Sequence, residues 1–199
     1  MPDEARSREA AGGYGNFVLY RMCADEPGHD DLAVVRSKAR TIAKVYEVSR
    51  NLGKDYTLIA KVLCAKKLAL DDLLKDLSRA EFSEETLSLI VNAHQKVDMA
   101  LCRKLEAKSD NRAVHSRASF VSKYLHFHRP DTFPILDSIA EKDLQSRVGR
   151  LPRSEFGLTG KSARYERFCR GILVLQSAKK FRTKSLREID DILLDKIRS

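Results

Sequence analysis

The chain is expected to be all-α, a compact single-domain helical bundle, and three observations carry that expectation. Apolar residues recur at spacings of three and four along most of the 199 residues, the period of a helix with one buried face. Valine and isoleucine nowhere alternate with polar residues for long enough to make a convincing strand. Only 9 Gly and 5 Pro interrupt the pattern, and 43% of residues are hydrophobic, so a collagen-like or wholly disordered chain is excluded. At this length a chain buries a real core without disulfides or a structural metal, and one domain over 14–199 is the natural reading.

Residues 1–13 are polar, end in Ala10-Ala11-Gly12-Gly13 and show no periodicity, which predicts a disordered tail. Asn16–Met22 reads as a short helix, and Pro27-Gly28 as a turn. Asp30 or Asp31 then caps a helix reaching about Arg50, with Leu32, Val35, Ala39, Ile42, Tyr46 and Ser49 inward and Gly53 at its end. A shorter helix covers Tyr56–Cys64, and another holds Leu70, Leu73, Leu74 and Leu77. Ser83 is the predicted cap of the clearest helix, with Glu84 and Glu85 in its first turn. Leu87, Ile90, His94, Val97, Leu101 and Leu105 line its inner face towards Lys108. Further helices are expected at Val114–Phe127, Asp137–Val148, Lys161–Lys179 and Ser185–Ile197, with Gly149–Gly160 as the longest interior loop.

No apolar run approaches the roughly 18 residues of a membrane helix, and the N-terminus has no apolar signal core. A cytoplasmic address, no membrane partner and reduced thiols are the expectation. Cys23, Cys64, Cys102 and Cys169 lie 41, 38 and 67 residues apart, without metal-binding or redox spacing, and read as small packed residues. No metal and no cofactor is expected.

The net charge of +9 is unevenly spread. Residues 147–187 hold 12 Lys or Arg against Glu155 and Glu166, a local +10, while the rest has 25 basic and 26 acidic residues. Such a stretch suits a polyanion, or else is a solvated face. Lys161, Arg164, Arg167 and Arg170 recur every three residues, so they form a ridge on a helix whose other side carries Tyr165, Phe168, Cys169, Ile172 and Leu173.

The most distinctive stretch is Ser119–Asp137, SFVSKYLHFHRPDTFPILD. A helix crowded with Phe120, Tyr124, Leu125 and Phe127 carries Lys123 near its middle, and Pro130 and Pro134 then impose an extended connector. Asp137 opens the next helix, where its carboxylate can accept backbone N–H bonds. A lysine desolvated among aromatic rings is a candidate amine nucleophile, and Asp137 a candidate fixed carboxylate. The alternatives are a plain cap for Asp137 and a surface lysine with a snorkelling stem for Lys123.

This stretch resembles the region around the catalytic Lys and Asp of helix-hairpin-helix DNA glycosylases, most of all compact bacterial proteins of the 8-oxoguanine-glycosylase fold, several of them associated with defence against phage. The resemblance spans residues 114–145. It implies a base flipped from DNA into a pocket, Asp137 stabilising positive charge on the deoxyribose, and Lys123 as the amine that attacks C1′ in a lyase. Lys123 and Asp137 are 14 residues apart, closer than is usual in that superfamily, and Arg117 lies nearer the expected nucleophile position. Asp110–His115 stands where a glycine-rich hairpin would be.

A monofunctional enzyme is therefore expected, with Lys123 contacting phosphate or base. Arg117, Tyr124, His126, His128, Arg129, Lys161, Arg164 and Arg167 are the candidate nucleic-acid contacts, Tyr124 by stacking, with core packing as the other reading of Tyr124 and the histidines. Tyr20, Tyr46 and Arg50 are candidates for the same cleft. The expected protein is thus a monomeric DNA glycosylase or glycosylase-like protein with DNA as its partner. The alternatives are a non-catalytic nucleic-acid-binding module of the same fold, and a helical interaction protein whose charge serves only solubility.

Overall fold

Nine helices and no strand are found among the described residues, which in this computed structural model are 13–48, 52, 55–106, 117–158 and 160–194, the side chains of 160–162 excepted. They are α1 (Tyr14–Asp25), α2 (Leu32–Val45), α3 (Tyr56–Leu63), α4 (Leu70–Asp76), α5 (Leu87–Glu106), α6 (Ala118–His128), α7 (Ser138–Val148), α8 (Gly160–Ser177) and α9 (Leu186–Leu194). Residues 1–12 of the expected tail, and the expectations for Ser49, Arg50, Gly53 and Asp110–His115, fall outside the described residues.

Capping explains several boundaries. Asp31, rather than Asp30, starts α2, its Oδ1 accepting the N–H groups of Ala33 at 2.7 Å and Val34 at 3.1 Å. Asp55 does the same for α3 through Leu58 N–H at 2.9 Å. Ser83 does not cap α5. Thr86 Oγ1 accepts the Ser83 N–H at 3.0 Å and donates to the Glu81 carbonyl at 2.5 Å, so Ser83 belongs to a turn and the helix starts at Leu87. Leu32, expected inward, is exposed, because the first residue of α2 projects past its packed face, on which Val35, Ala39 and Ile42 are fully buried.

The centre of the fold is α6. Every residue from Ala118 to His128 except Ser119 is buried, so this helix has no solvent face. Helices α1, α2, α5 and α8 pack around it, and α7 packs between α8 and α9. At the α7–α8 contact a Cβ on Gly171 would meet Leu151 Cδ2 at 2.7 Å and Leu144 Cδ2 at 2.9 Å, so only glycine permits this approach. Among the described residues no helix is long and apolar enough to cross a membrane.

Candidate functional site

The central helix and the connector after it form a clasp. Ser119, Ser122, Lys123 and His126 share one face of α6, and residues 129–137 run against that face. Ser122 Oγ accepts the Leu136 N–H at 3.0 Å, Lys123 Nζ donates to the Leu136 carbonyl at 3.0 Å, and His126 Nδ1 donates to the Phe133 carbonyl at 2.8 Å. From α8, Tyr165 donates to the Pro134 carbonyl at 3.2 Å. An extended, buried connector has no helical or sheet partner for its backbone groups, and these side chains supply one. The distinctive pattern of 119–137 is thus largely the pattern of this clasp.

Lys123 and Asp137 meet at its end. Lys123 Nζ lies 3.3 Å from Asp137 Oδ2 and also donates to Ser119 Oγ at 2.9 Å, so with Leu136 all three of its N–H groups are engaged. Its side chain is 0% exposed, against 24% for Asp137. Burial lowers the Lys123 pKa, and the Asp137 carboxylate opposes that shift. Asp137 Oδ1 caps α7 through the Ile139 N–H at 2.9 Å. The pairing of the two residues is as the sequence suggested, but the role of Lys123 is corrected. It is neither a snorkelling surface lysine nor placed to touch a phosphate or base.

A wider polar cluster surrounds this pair. Tyr20 donates to His126 Nε2 at 2.7 Å, which makes His126 a neutral ring donating through Nδ1, and burial depresses its pKa to about 4. The ring of Tyr46 lies 5.2 Å from Lys123 Nζ, and its hydroxyl donates to Asn16 Oδ1 at 2.9 Å. Tyr20 and Tyr46, candidates for the same cleft that the sequence alone did not place, lie beside this pair. Asp190 was missed. It sits on α9 beside the inward Ile189 and Leu193, and burial raises its pKa to about 7 against the pull of Arg187 and Lys123. Arg187 Nη1 bonds Asp190 Oδ2 at 3.1 Å, and Nη2 bonds Asp191 Oδ1 at 2.7 Å. The signal for Asp190 was an aspartate at an inward position of an amphipathic helix.

Several expected nucleic-acid contacts are elsewhere. Tyr124 is in the core, its ring 5.7 Å from that of His29 and 5.1 Å from that of His128, which in turn packs 4.8 Å from His29. Tyr124, His126 and His128 therefore do not present themselves to a nucleic acid. Arg117 is buried, its backbone N–H donating to Asp98 Oδ1 at 2.9 Å. Arg129 donates to the carbonyls of Leu74 at 3.0 Å and His128 at 2.8 Å, which ties it to the backbone.

The predicted ridge on α8 is also not one continuous free surface. Arg164 holds Glu141 of α7 with Nη2–Oε2 at 2.6 Å, and Arg167 is exposed. The side chain of Lys161 lies outside the described residues. Arg170, expected on the ridge, is buried. Its Nε donates to Glu166 at 3.0 Å, and its Nη1 lies 3.1 Å from Glu155 and 3.4 Å from Glu84. Glu166 in turn accepts the N–H groups of Glu155 at 2.7 Å and Phe156 at 3.2 Å, and the Ser154 hydroxyl. The loop after α7 folds over α8 and encloses this pair. Arg150, Arg153, Arg167, Lys179, Lys180 and Arg182 remain exposed and outside ion pairs among the described residues.

Among the described residues no group of three His, Cys, Asp or Glu is gathered to hold a metal ion. All four cysteines are free, Cys23 and Cys169 buried, and burial pushes the Cys23 thiol up to about 12. No family model, curated protein or solved structure matches the chain.

Proposed function

We propose that the protein releases a base from DNA as a monofunctional glycosylase, with Asp137 as its catalytic carboxylate. One observation supports this above the others: Asp137 is fixed at a helix start by the Ile139 N–H, backed by the Lys123 ammonium, and still reaches solvent. A carboxylate held that way can meet the positive charge that develops on the sugar as the C1′–N bond breaks. The base leaves with the bonding electron pair, and water adds at C1′. Lys123 acts through Asp137 as a positioning residue. The association of the resembling proteins with phage defence makes modified phage DNA the substrate class to try first.

The test is incubation with duplexes carrying modified bases, followed by alkaline cleavage of abasic sites. Release by the native chain, its loss in a folded Asp137→Asn variant, and no borohydride-trapped adduct are expected. An adduct that disappears in Lys123→Ala would instead make the lysine a nucleophile. A second reading, a non-catalytic nucleic-acid-binding module, is favoured by the burial of Tyr124, His126 and His128, which leaves those rings unable to read a base. DNA binding without base release from any duplex would establish it.

A further inference from the structure

A concavity separate from the clasp is lined by residues between Leu58 and Lys104. It is an open trough of about 830 Å³ between α3 and α5. Its floor is apolar, with Leu58 and Val62 of α3, Leu68 just beyond, and Met99 and Ala100 of α5. Met99 is 40% exposed. Two basic banks flank the floor: Lys61 and Lys67 on the α3 side, and Lys96, Arg103 and Lys104 on α5. All five are exposed, and among the described residues none forms an ion pair and no carboxylate lines the trough.

We infer that this trough docks an acidic amphipathic helix of a partner protein. An apolar lining rimmed by cations from both helices matches a helix with apolar residues at i, i+3/i+4 and i+7, and Glu or Asp beside that stripe. The rim steers and orients the ligand, while the floor supplies the burial that rewards docking. A phosphate backbone would engage the rims but leave the floor unused. A single strand of nucleic acid wants aromatic platforms, and among the described residues no aromatic side chain lines this trough. The inference is independent of the glycosylase reading, because no residue of the clasp takes part.

The test uses a fluorescein-labelled 14-residue helix with leucine on one face and glutamate elsewhere, titrated with the full chain and followed by anisotropy at low and moderate salt. Saturable binding is expected. Lys96→Glu combined with Arg103→Glu should weaken it at least tenfold, as should Met99→Asp alone, with circular dichroism showing that both variants stay folded. A probe of the same composition with its leucines scrambled should lose at least tenfold.

Three results would overturn the inference. One is no binding of the ordered probe. Another is binding indifferent to Met99→Asp and to scrambling, which would make the trough a simple polyanion patch. The third is tighter binding of phosphatidylglycerol vesicles or a short DNA duplex through Lys96 and Arg103, which would assign the trough to that ligand.

Discussion

Two basic regions of this molecule divide their charge differently. The 147–187 stretch carries 12 cations in the sequence, yet Arg147, Arg164, Arg170, Lys184 and Arg187 are each in an ion pair, mostly with carboxylates of neighbouring turns or helices. The α3–α5 trough draws five cations from separate segments and pairs none of them among the described residues. A charge run thus measures composition, whereas a binding surface depends on which charges the fold leaves unspent. In the first region five cations are paired, mostly within their own helix and with Arg164–Glu141 joining α7 to α8, while six stay exposed; in the second all five face solvent.

The strongest test of this contrast is Glu166→Gln. Glu166 is fully buried and Arg170 is 9% exposed, so the substitution leaves a buried guanidinium without its closest counter-charge and loosens the 149–158 loop. A loss of about 2–4 kcal/mol in urea unfolding is expected, since Glu155 and Glu84 stay beside Arg170. A loss below about 1 kcal/mol would show that the pair is peripheral. Lys123→Met should cost about 2–4 kcal/mol, because Ser119 Oγ, the Leu136 carbonyl and Asp137 lose a shared buried donor. Asp137→Asn, which keeps a capping side chain, should cost about 1 kcal/mol.

The acid side of the stability profile sharpens the same point. His94 and His126 are both depressed to about 4 by burial, so below pH 6.5 the unfolded chain binds protons that the native one refuses, and stability falls as pH drops from 6.5 towards 4. Asp190, raised to about 7 by burial, works the other way, losing its contribution as pH rises from about 4 to 7. Burial lowers His29 and His128 as well, so the histidines outweigh one aspartate and a net loss of stability is expected on acidification. Asp190→Asn should steepen that loss. Urea midpoints between pH 4.5 and 7.5 measure both, and a flat native profile would contradict the assignment.

If DNA binds the C-terminal region, Arg167→Gln should lower the salt slope by about one and Arg164→Gln by much less, since Glu141 already holds Arg164. Equal effects would mean that Arg164 leaves Glu141 on binding. The smallest change belongs to the trough. Lys96→Gln with Arg103→Gln should alter stability by less than about 0.5 kcal/mol, because these exposed cations support no partner in the fold. A larger change would reveal a structural role and narrow the contrast.

The legible part of this protein was local. The helical class, the order of the helices, the caps at Asp31 and Asp137, and the inward faces of α5 and α8 follow from spacing and end chemistry, which act over a few residues. The candidate pair Lys123 and Asp137 was also visible, because one helix and a proline-bound connector bring them together. What the spacing did not contain was direction and depth. The α6 pattern reads as a helix with one active face, but five neighbours enclose it, so Tyr124, His126 and His128 became core. Arg170 lay on a ridge by periodicity until the loop before α8 covered it and Glu166 supplied its charge. Asp190 reached the clasp, and the trough cations reached one another, only because helices distant in the chain packed side by side. Periodicity and capping are set by neighbours in sequence, whereas burial, pairing of charge and the making of a surface are set by neighbours in space.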